Sequence, residues 1–378
     1  MKRIIAVLLC VCCVTFTFCG CGQKVNTNGL GNGWEPVKTM DLRYAGRFSV
    51  AYYNDGYKLI TLADGSRFLV VPEGGDIPHG IANDIVALRQ PIENIYLAAT
   101  SAMCLFDAMD RLDAIKLSGT REDGWYIENA VKAMQNGDIL YAGKYNAPDY
   151  EMILDNRCAL AIESTMIGHS SDVKEKLEKL GIPVLVDQSS LENHPLARCE
   201  WIKLYAALLN EEEKADELFS EQVAHLDRLT ENNSTEKKVA FFHISSSGFV
   251  VTRKSGDYVS KMIELAGGKY VFDDLGDHEK DTSTVTIEME TFYNTAKDAD
   301  FIIYNSTIGG EIKTLQELLS MNDLLKNFKA VKNGNVWCTS ENMFQETMQF
   351  GQMISDFNAI FTNDSEKSAK VKYLYQLK

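Results

Sequence analysis

Side chains able to do chemistry are sparse in this chain, and their spacing decides what they could do. The six histidines are His79, His169, His194, His225, His243 and His278. No two stand four apart on one expected helix face, and none sits beside a carboxylate in the spacing of a helix-borne zinc site. His243, inside an apolar run, reads as a core residue. His169, just past an apolar strand, is the better ligand candidate. No P-loop, GxGxxG, GxSxG or triad order occurs. Ser246, within Ser245-Ser246-Ser247-Gly248, could help cradle an anion through backbone N–H groups. Aromatic and cationic residues are denser: Arg121, Trp125, Tyr126, Tyr145, Arg253, Trp337 and Phe344 fall near expected strand ends, with the hydroxyls of Ser164, Thr165 and Ser306. Such a wall would hold a large, partly apolar or anionic ligand by stacking, cation–π contact and ion pairing. The plainer alternative is core aromatics and loop anchors. The pattern favours binding over catalysis, with no intrinsic cofactor and no metal site expected.

The elements that must position these residues are organised around residues 192–229, which read as helix. His194-Pro195 suits a helix entrance, because proline is tolerated where an N–H would be unpaired anyway. Trp201, Leu204, Tyr205, Leu208 and Leu209 recur at helical spacing, and Ala215, Leu218, Phe219 and Val223 continue it. One bent helix or two would satisfy the pattern. On each side lies an α/β segment, and the two look like copies. EMILDNRCALAIESTMIG (151–168) matches ETFYNTAKDADFIIYNSTIG (290–309): a Glu, a short helical stretch, an apolar strand, then hydroxyl residues and Ile-Gly. A duplicated α/β unit about a long helix implies two lobes facing across a cleft.

Residues 48–74 alternate through Asn54-Asp55-Gly56 and Asp64-Gly65 turns and predict a three-stranded β-meander. In the first lobe, strands are expected near residues 95–99, 115–119 and 180–188, and a helix over Glu128–Gln135. In the second, strands are expected over residues 239–244, 300–304 and 335–338, helices over 260–266 and 348–361, and a polar loop over 274–286. The fold class is therefore α/β, with parallel sheets in both lobes. Strand carboxyl ends should face the crevice.

Met1-Lys2-Arg3 followed by an apolar run to Phe18 has the form of a signal peptide. The Gly20-Cys21 junction resembles a bacterial lipobox, in which Cys21 becomes the lipid-bearing first residue. An ordinary cleaved signal and an uncleaved anchor are the alternatives. Five of the nine cysteines lie in or beside this segment. The remainder, Cys104, Cys158, Cys199 and Cys338, show no CxxC pair and read as buried thiols by default. The net charge of −15 becomes −17 once Lys2 and Arg3 leave with the signal. That argues against nucleic acid and against adhesion to anionic lipid by charge alone.

Four stretches carry a family resemblance: GKYNAPDYEMIL (143–154), ENHPLARCEWIK (192–203), KMIELAGGKYVF (261–272) and METFYNTAKDADFIIYNSTIGG (289–310). With these the chain resembles the solute-binding lipoproteins of iron-complex and cobalamin ABC importers. The resemblance implies two α/β lobes joined by one long helix that limits hinge motion, acting as a monomer on the outer face of the cytoplasmic membrane. It implies capture of a siderophore, haem or corrinoid between the lobes. It also implies docking of one glutamate per lobe onto the permease and its ATPase; the matching positions are Glu151 and Glu290, with Glu288 a close competitor. The divisions expected are signal 1–20, tether 21–40, first lobe with meander 41–191, linking helix 192–230 and second lobe 231–378. A receptor for free zinc or manganese would need three or four converging ligands. A two-lobe sensor or enzyme would need a reactive group in the cleft.

Overall fold

The computed structural model describes residues 29–31, 33–230, 234–273, 275, 283–362 and 365–378. The expected lipid site Cys21 and His278 lie outside the described residues.

The chain first builds a sheet of five strands: β1 (Lys38–Thr39), β2 (Phe48–Tyr52), β3 (Lys58–Leu62), β4 (Arg67–Val71) and β5 (Ile85–Arg89). The expected meander is β2-β3-β4, antiparallel in register Phe48↔Leu62 and Ile60↔Phe68. It turns where foreseen, with Asp55 and Gly56 at φ 58° and 83° and Gly65 at 87°. The sheet is larger than expected, because β1 pairs beside β2 and β5 runs parallel to β4. Phe48, Val50, Ile60, Leu62, Phe68 and Val70 face the main core, whereas Leu59, Leu69, Val71 and Ile85 face a small core with Leu30 and Tyr53. Burial on both faces explains why β4 carries an unbroken apolar run, Phe68 to Val71, where strict alternation was expected.

The first lobe follows as β6 (Ile95–Leu97), α1 (Met103–Ala108), β7 (Ile115–Ser118), α2 (Glu128–Gln135) and β8 (Leu140–Tyr141). A small hairpin comes next, β9 (Gly143–Lys144) and β10 (Ala147–Pro148). Then come α3 (Tyr150–Asp155), β11 (Ala161–Ser164), α4 (Ser171–Lys179) and β12 (Val184–Asp187). The sheet order is β12-β11-β6-β7-β8, parallel throughout. Strand order therefore reverses between β6 and β11, the place where an open α/β sheet offers a crevice.

Three helices lead out of this lobe: α5 (Pro195–Glu200), α6 (Ile202–Leu209) and α7 (Glu212–Thr230). The entrance is as the sequence suggests, with Pro195 in the first turn and the His194 ring accepting from the Leu196 N–H at 3.1 Å. Every residue of α6 is buried. The chain breaks at Asn210, which adopts φ 61°, a conformation asparagine tolerates better than most residues. Its Oδ1 accepts from Lys58 and Gln90, so the break is held by the first sheet. Neither expected alternative, one bent helix or two, holds: the stretch is three helices, of which α7, about 28 Å long, is the longest.

The second lobe comprises β13 (Lys237–Ile244), β14 (Val250–Arg253), α8 (Tyr258–Leu265), β15 (Gly268–Tyr270), β16 (Thr284–Ile287), α9 (Met289–Ala296) and β17 (Phe301–Tyr304). It continues through α10 (Ser306–Gly309), α11 (Leu315–Met321), α12 (Lys329–Lys332), β18 (Val336–Thr339), α13 (Phe350–Phe361), α14 (Ser365–Ser368) and β19 (Leu374–Gln376). Strands β13, β15, β17 and β18 are parallel, while β14, β16 and β19 pair antiparallel. Two expectations are corrected here. The second sheet is mixed, because residues 245–249 turn β14 straight back onto β13. The end of the expected polar loop is strand β16, whose threonines suit an edge position.

The duplicated segments fold alike. Helix α3 leads into β11 and a tight turn, and α9 leads into β17 and α10. Ser164 accepts from the Met166 N–H at 3.3 Å, and Asn305 accepts from the Thr307 N–H at 3.2 Å. One continuous apolar core runs from Phe48 of the first sheet through α5 and α6 to Leu377.

Candidate ligand cleft

At its carboxyl edge the first lobe presents the loops after β7 and β11, and the second those after β13, β17 and β18. The lobes touch across this edge. The Gln345 side chain accepts from the Tyr126 N–H at 2.9 Å and donates to the Gly124 carbonyl at 2.7 Å. The Tyr126 hydroxyl donates to the Glu341 carboxylate. That bond, with burial second, pushes the Tyr126 pKa up to about 12, so the phenol stays a donor throughout the physiological range. Behind them the Cys199 thiol donates to the Thr347 carbonyl at 3.1 Å.

Eleven large apolar side chains are exposed among the described residues, and five of them, Tyr126, Met166, Phe249, Ile308 and Phe344, stand on these edge loops. Isolated exposed apolar residues need no explanation, but a concentration on facing loops marks a contact surface. Sequence reasoning found Tyr126 and Phe344 and missed Met166, Phe249 and Ile308. The signal available was position: Met166 and Ile308 directly follow the hydroxyl residues that close β11 and β17.

The remaining expected contact residues divide. Arg121 is exposed, its guanidinium 4.5 Å from the Tyr141 ring centroid, on the same edge. Tyr145 is half-buried in the β9–β10 hairpin, and His169 and Ser246 are exposed on edge loops. Ser164 serves as a cap, and Thr165 Oγ1 lies 3.2 Å from Ser190 Oγ. Ser306 is buried, its hydroxyl donating to the Thr339 carbonyl. Three placements correct the expected wall. Trp125 is buried in the core, its indole N–H donating to Ser118 at 3.2 Å. Trp337 is a buried residue of β18. Arg253 lies along β14, level with Phe241 rather than with the strand end, and pairs with Asp257 at 3.4 Å. Aromatic and cationic residues near strand ends can turn inward, and these do. Glu151, Glu288 and Glu290 are all exposed.

Cys104, Cys158, Cys199 and Cys338 are free thiols. His243 is buried, and burial, then the Arg253 charge, pushes its pKa down. Among the described residues no group of three or more His, Cys, Asp or Glu is placed to hold a metal, and no helix is long and apolar enough to cross a membrane.

Glu163 of β11 is fully buried beside the edge, and neither carboxyl oxygen has a hydrogen-bond partner. Burial pushes its pKa up to about 8 from the ordinary glutamate value of 4.5. Between those two values the folded chain keeps a proton that the unfolded chain releases, so stability falls as pH rises through the window. Glu163→Gln is expected to flatten this slope and to stabilise the protein by roughly a few kcal/mol at its upper end. Urea denaturation at pH 5 and about pH 8 checks it; parallel shifts of wild type and variant would refute it.

Comparison with known proteins agrees with this architecture. Residues 120–342 match the family model described as periplasmic binding protein. An uncharacterised lipoprotein of Methanocaldococcus jannaschii is 25% identical over 99% of this chain and 96% of its own length. Among solved structures, the periplasmic haem binding protein HutB of Vibrio cholerae superposes with a TM-score of 0.56 at 17% identity, covering 69% of this chain and 97% of that one. The vitamin B12 binding protein BtuF of the same species gives 0.51 at 16%, covering 73% and 99%. The fold of the two lobes is shared with these carriers. By the span of the matching model, this chain belongs to the periplasmic binding protein family.

Proposed function

We propose that the protein is the receptor of an ABC importer, tethered outside the cytoplasmic membrane through lipid on Cys21, that captures a metal chelate such as haem, a corrinoid or a ferric siderophore. It carries a ligand and does no catalysis. The observation that supports this most is the group of exposed apolar side chains on the facing edge loops, Tyr126, Met166, Phe249, Ile308 and Phe344. A macrocycle or aromatic chelate offers flat apolar faces that such residues cover, and Arg121 supplies a cation for a carboxylate or catecholate rim. The likeness to haem and vitamin B12 carriers and to an archaeal lipoprotein points the same way.

Trp125 and Trp337, buried just behind the edge, report occupancy by fluorescence. Titration with haem, cobalamin and ferric siderophores is expected to give saturable quenching for one of these classes. Met166→Ala and Phe344→Ala should each weaken that binding by about tenfold. Tight binding of zinc or manganese ions, with no chelate bound, would overturn the proposal.

Delivery is assigned to Glu151 and Glu290. Each is the second residue of its helix, α3 or α9, and each helix starts at the carboxyl edge of its sheet. Asp149 and Glu288 are the matching N-cap residues, which favours Glu290 over Glu288 as the partner of Glu151.

A further inference from the structure

A second-lobe side chain, Gln345, is buried against the first lobe across the cleft edge. It is 1% exposed, and both ends of its amide are taken up by first-lobe backbone, the Tyr126 N–H at 2.9 Å and the Gly124 carbonyl at 2.7 Å. A glutamine amide carries its acceptor and its donors in one plane, so engaging both ends fixes its place more closely than one bond would.

The parts on either side of this contact are stiff. Gln345 follows a short helical turn, Glu341–Phe344, and its N–H closes that turn on the Asn342 carbonyl at 3.0 Å. The next residue, Glu346, is held by the second lobe itself, accepting from the Asn342 side chain at 3.0 Å and from the Tyr373 hydroxyl at 2.7 Å. In the first lobe, Trp125 stands between the two contact residues and is packed into the core, its indole N–H on Ser118. The Gly124 and Trp125 amides donate back to the Arg121 and Glu122 carbonyls at 3.0 and 3.1 Å. Two stiff parts joined by two hydrogen bonds leave little play. The exposed aromatics Tyr126 and Phe344, one in the contact and one beside it in sequence, are therefore held at one separation.

We propose that Gln345 is a latch for ligand exchange: seated, it fixes the spacing of Tyr126 and Phe344 and retains a bound chelate, and withdrawn, it lets the lobes part and the chelate leave. The inference rests on the reading of these edge loops as the ligand cleft. Gln345 acts as a positioning residue, since its polar atoms are engaged by protein. Two neutral hydrogen bonds are a weak enough tie to open without unfolding either lobe.

Gln345→Met tests this, because an unbranched side chain of similar length fills the same space while removing both hydrogen bonds. In the ligand-free whole protein, hydrogen exchange of the Tyr126 amide should become about tenfold faster or more, since Gln345 is its acceptor. With haem, cobalamin and a ferric catecholate loaded in turn, release of whichever chelate binds should be about tenfold faster, with the number of binding sites unchanged. Gln345→Ala, which also removes the bonds, should reproduce both changes. Fewer binding sites with an unchanged release rate would make Gln345 merely structural and overturn the inference, as would unchanged exchange of the Tyr126 amide. Binding with a release rate indifferent to both variants would overturn the latch alone, whereas no binding of any of the three chelates would overturn the receptor reading together with it.

Discussion

Glu200→Ala is expected to cost roughly 3–5 kcal/mol of folding stability, enough to unfold a marginal domain. The Glu200 side chain is wholly buried at the end of α5. Its carboxylate accepts from the backbone N–H groups of Arg43, Tyr44 and Ala45, at 2.8–2.9 Å for the shortest bond to each. Glu192 takes the next two, Gly46 and Arg47, both at 3.0 Å, and the Trp201 indole at 3.2 Å. Five successive amides that lead into the first sheet are thus satisfied by two carboxylates from the entrance of the junction. Removing one carboxylate strands three amides and leaves Lys203, 3.6 Å away, with Asp216 as its ion-pair partner. Glu200→Gln keeps part of the acceptor capacity and should cost about half as much. Urea denaturation measures both. A Glu200→Ala protein within about 1 kcal/mol of wild type would show that the amides find other partners.

The double variant Glu151→Ala, Glu290→Ala is expected to lose nearly all uptake while binding ligand as wild type does. Both carboxylates are exposed at the edges that surround the cleft, one per lobe, in equivalent helix positions. A permease with pseudo-two-fold symmetry would meet them together, and each charge pair, partly desolvated, contributes about 1–3 kcal/mol. Loss of both then weakens docking by about two orders of magnitude or more, and loss of one by about tenfold. Uptake in cells and ligand affinity in vitro separate the effects. Normal uptake by the double variant, or affinity falling in step with uptake, would remove the docking role. A larger effect from Glu288→Ala than from Glu290→Ala would move the second contact to the N-cap residue.

Much of the fold was legible because buried strands and helices impose periodicity. The β2-β3-β4 meander, helix Glu128–Gln135 and the duplicated helix–strand–turn units all stand where the pattern put them. What escaped had weak patterning for a physical reason. Strand β1 has only two residues, and β16 is an edge strand of alternating threonines that reads as a polar loop. The break at Asn210 depends on a left-handed residue held by Lys58 and Gln90, far away in sequence. The cleft was harder still. Side-chain type marked Trp125, Trp337 and Arg253, but whether such a residue turns outward depends on neighbours such as Ser118 and Asp257. Met166 and Ile308 carry no polar signature and gain their meaning from position alone.

The continuous core from the first sheet to the last residues has a consequence for how the molecule melts. Helix α6 lies wholly inside it, and α13 of the second lobe packs against α5 and α7 of the junction. A chain built this way has no seam along which one half can lose its structure while the other keeps it. Heating should therefore give a single calorimetric transition whose enthalpy matches the steepness of the melt, as for one cooperative unit. Neither half expressed alone would inherit a closed interior, so circular permutants are better served by new termini in the exposed turn at Asp64-Gly65 than by a cut at the junction.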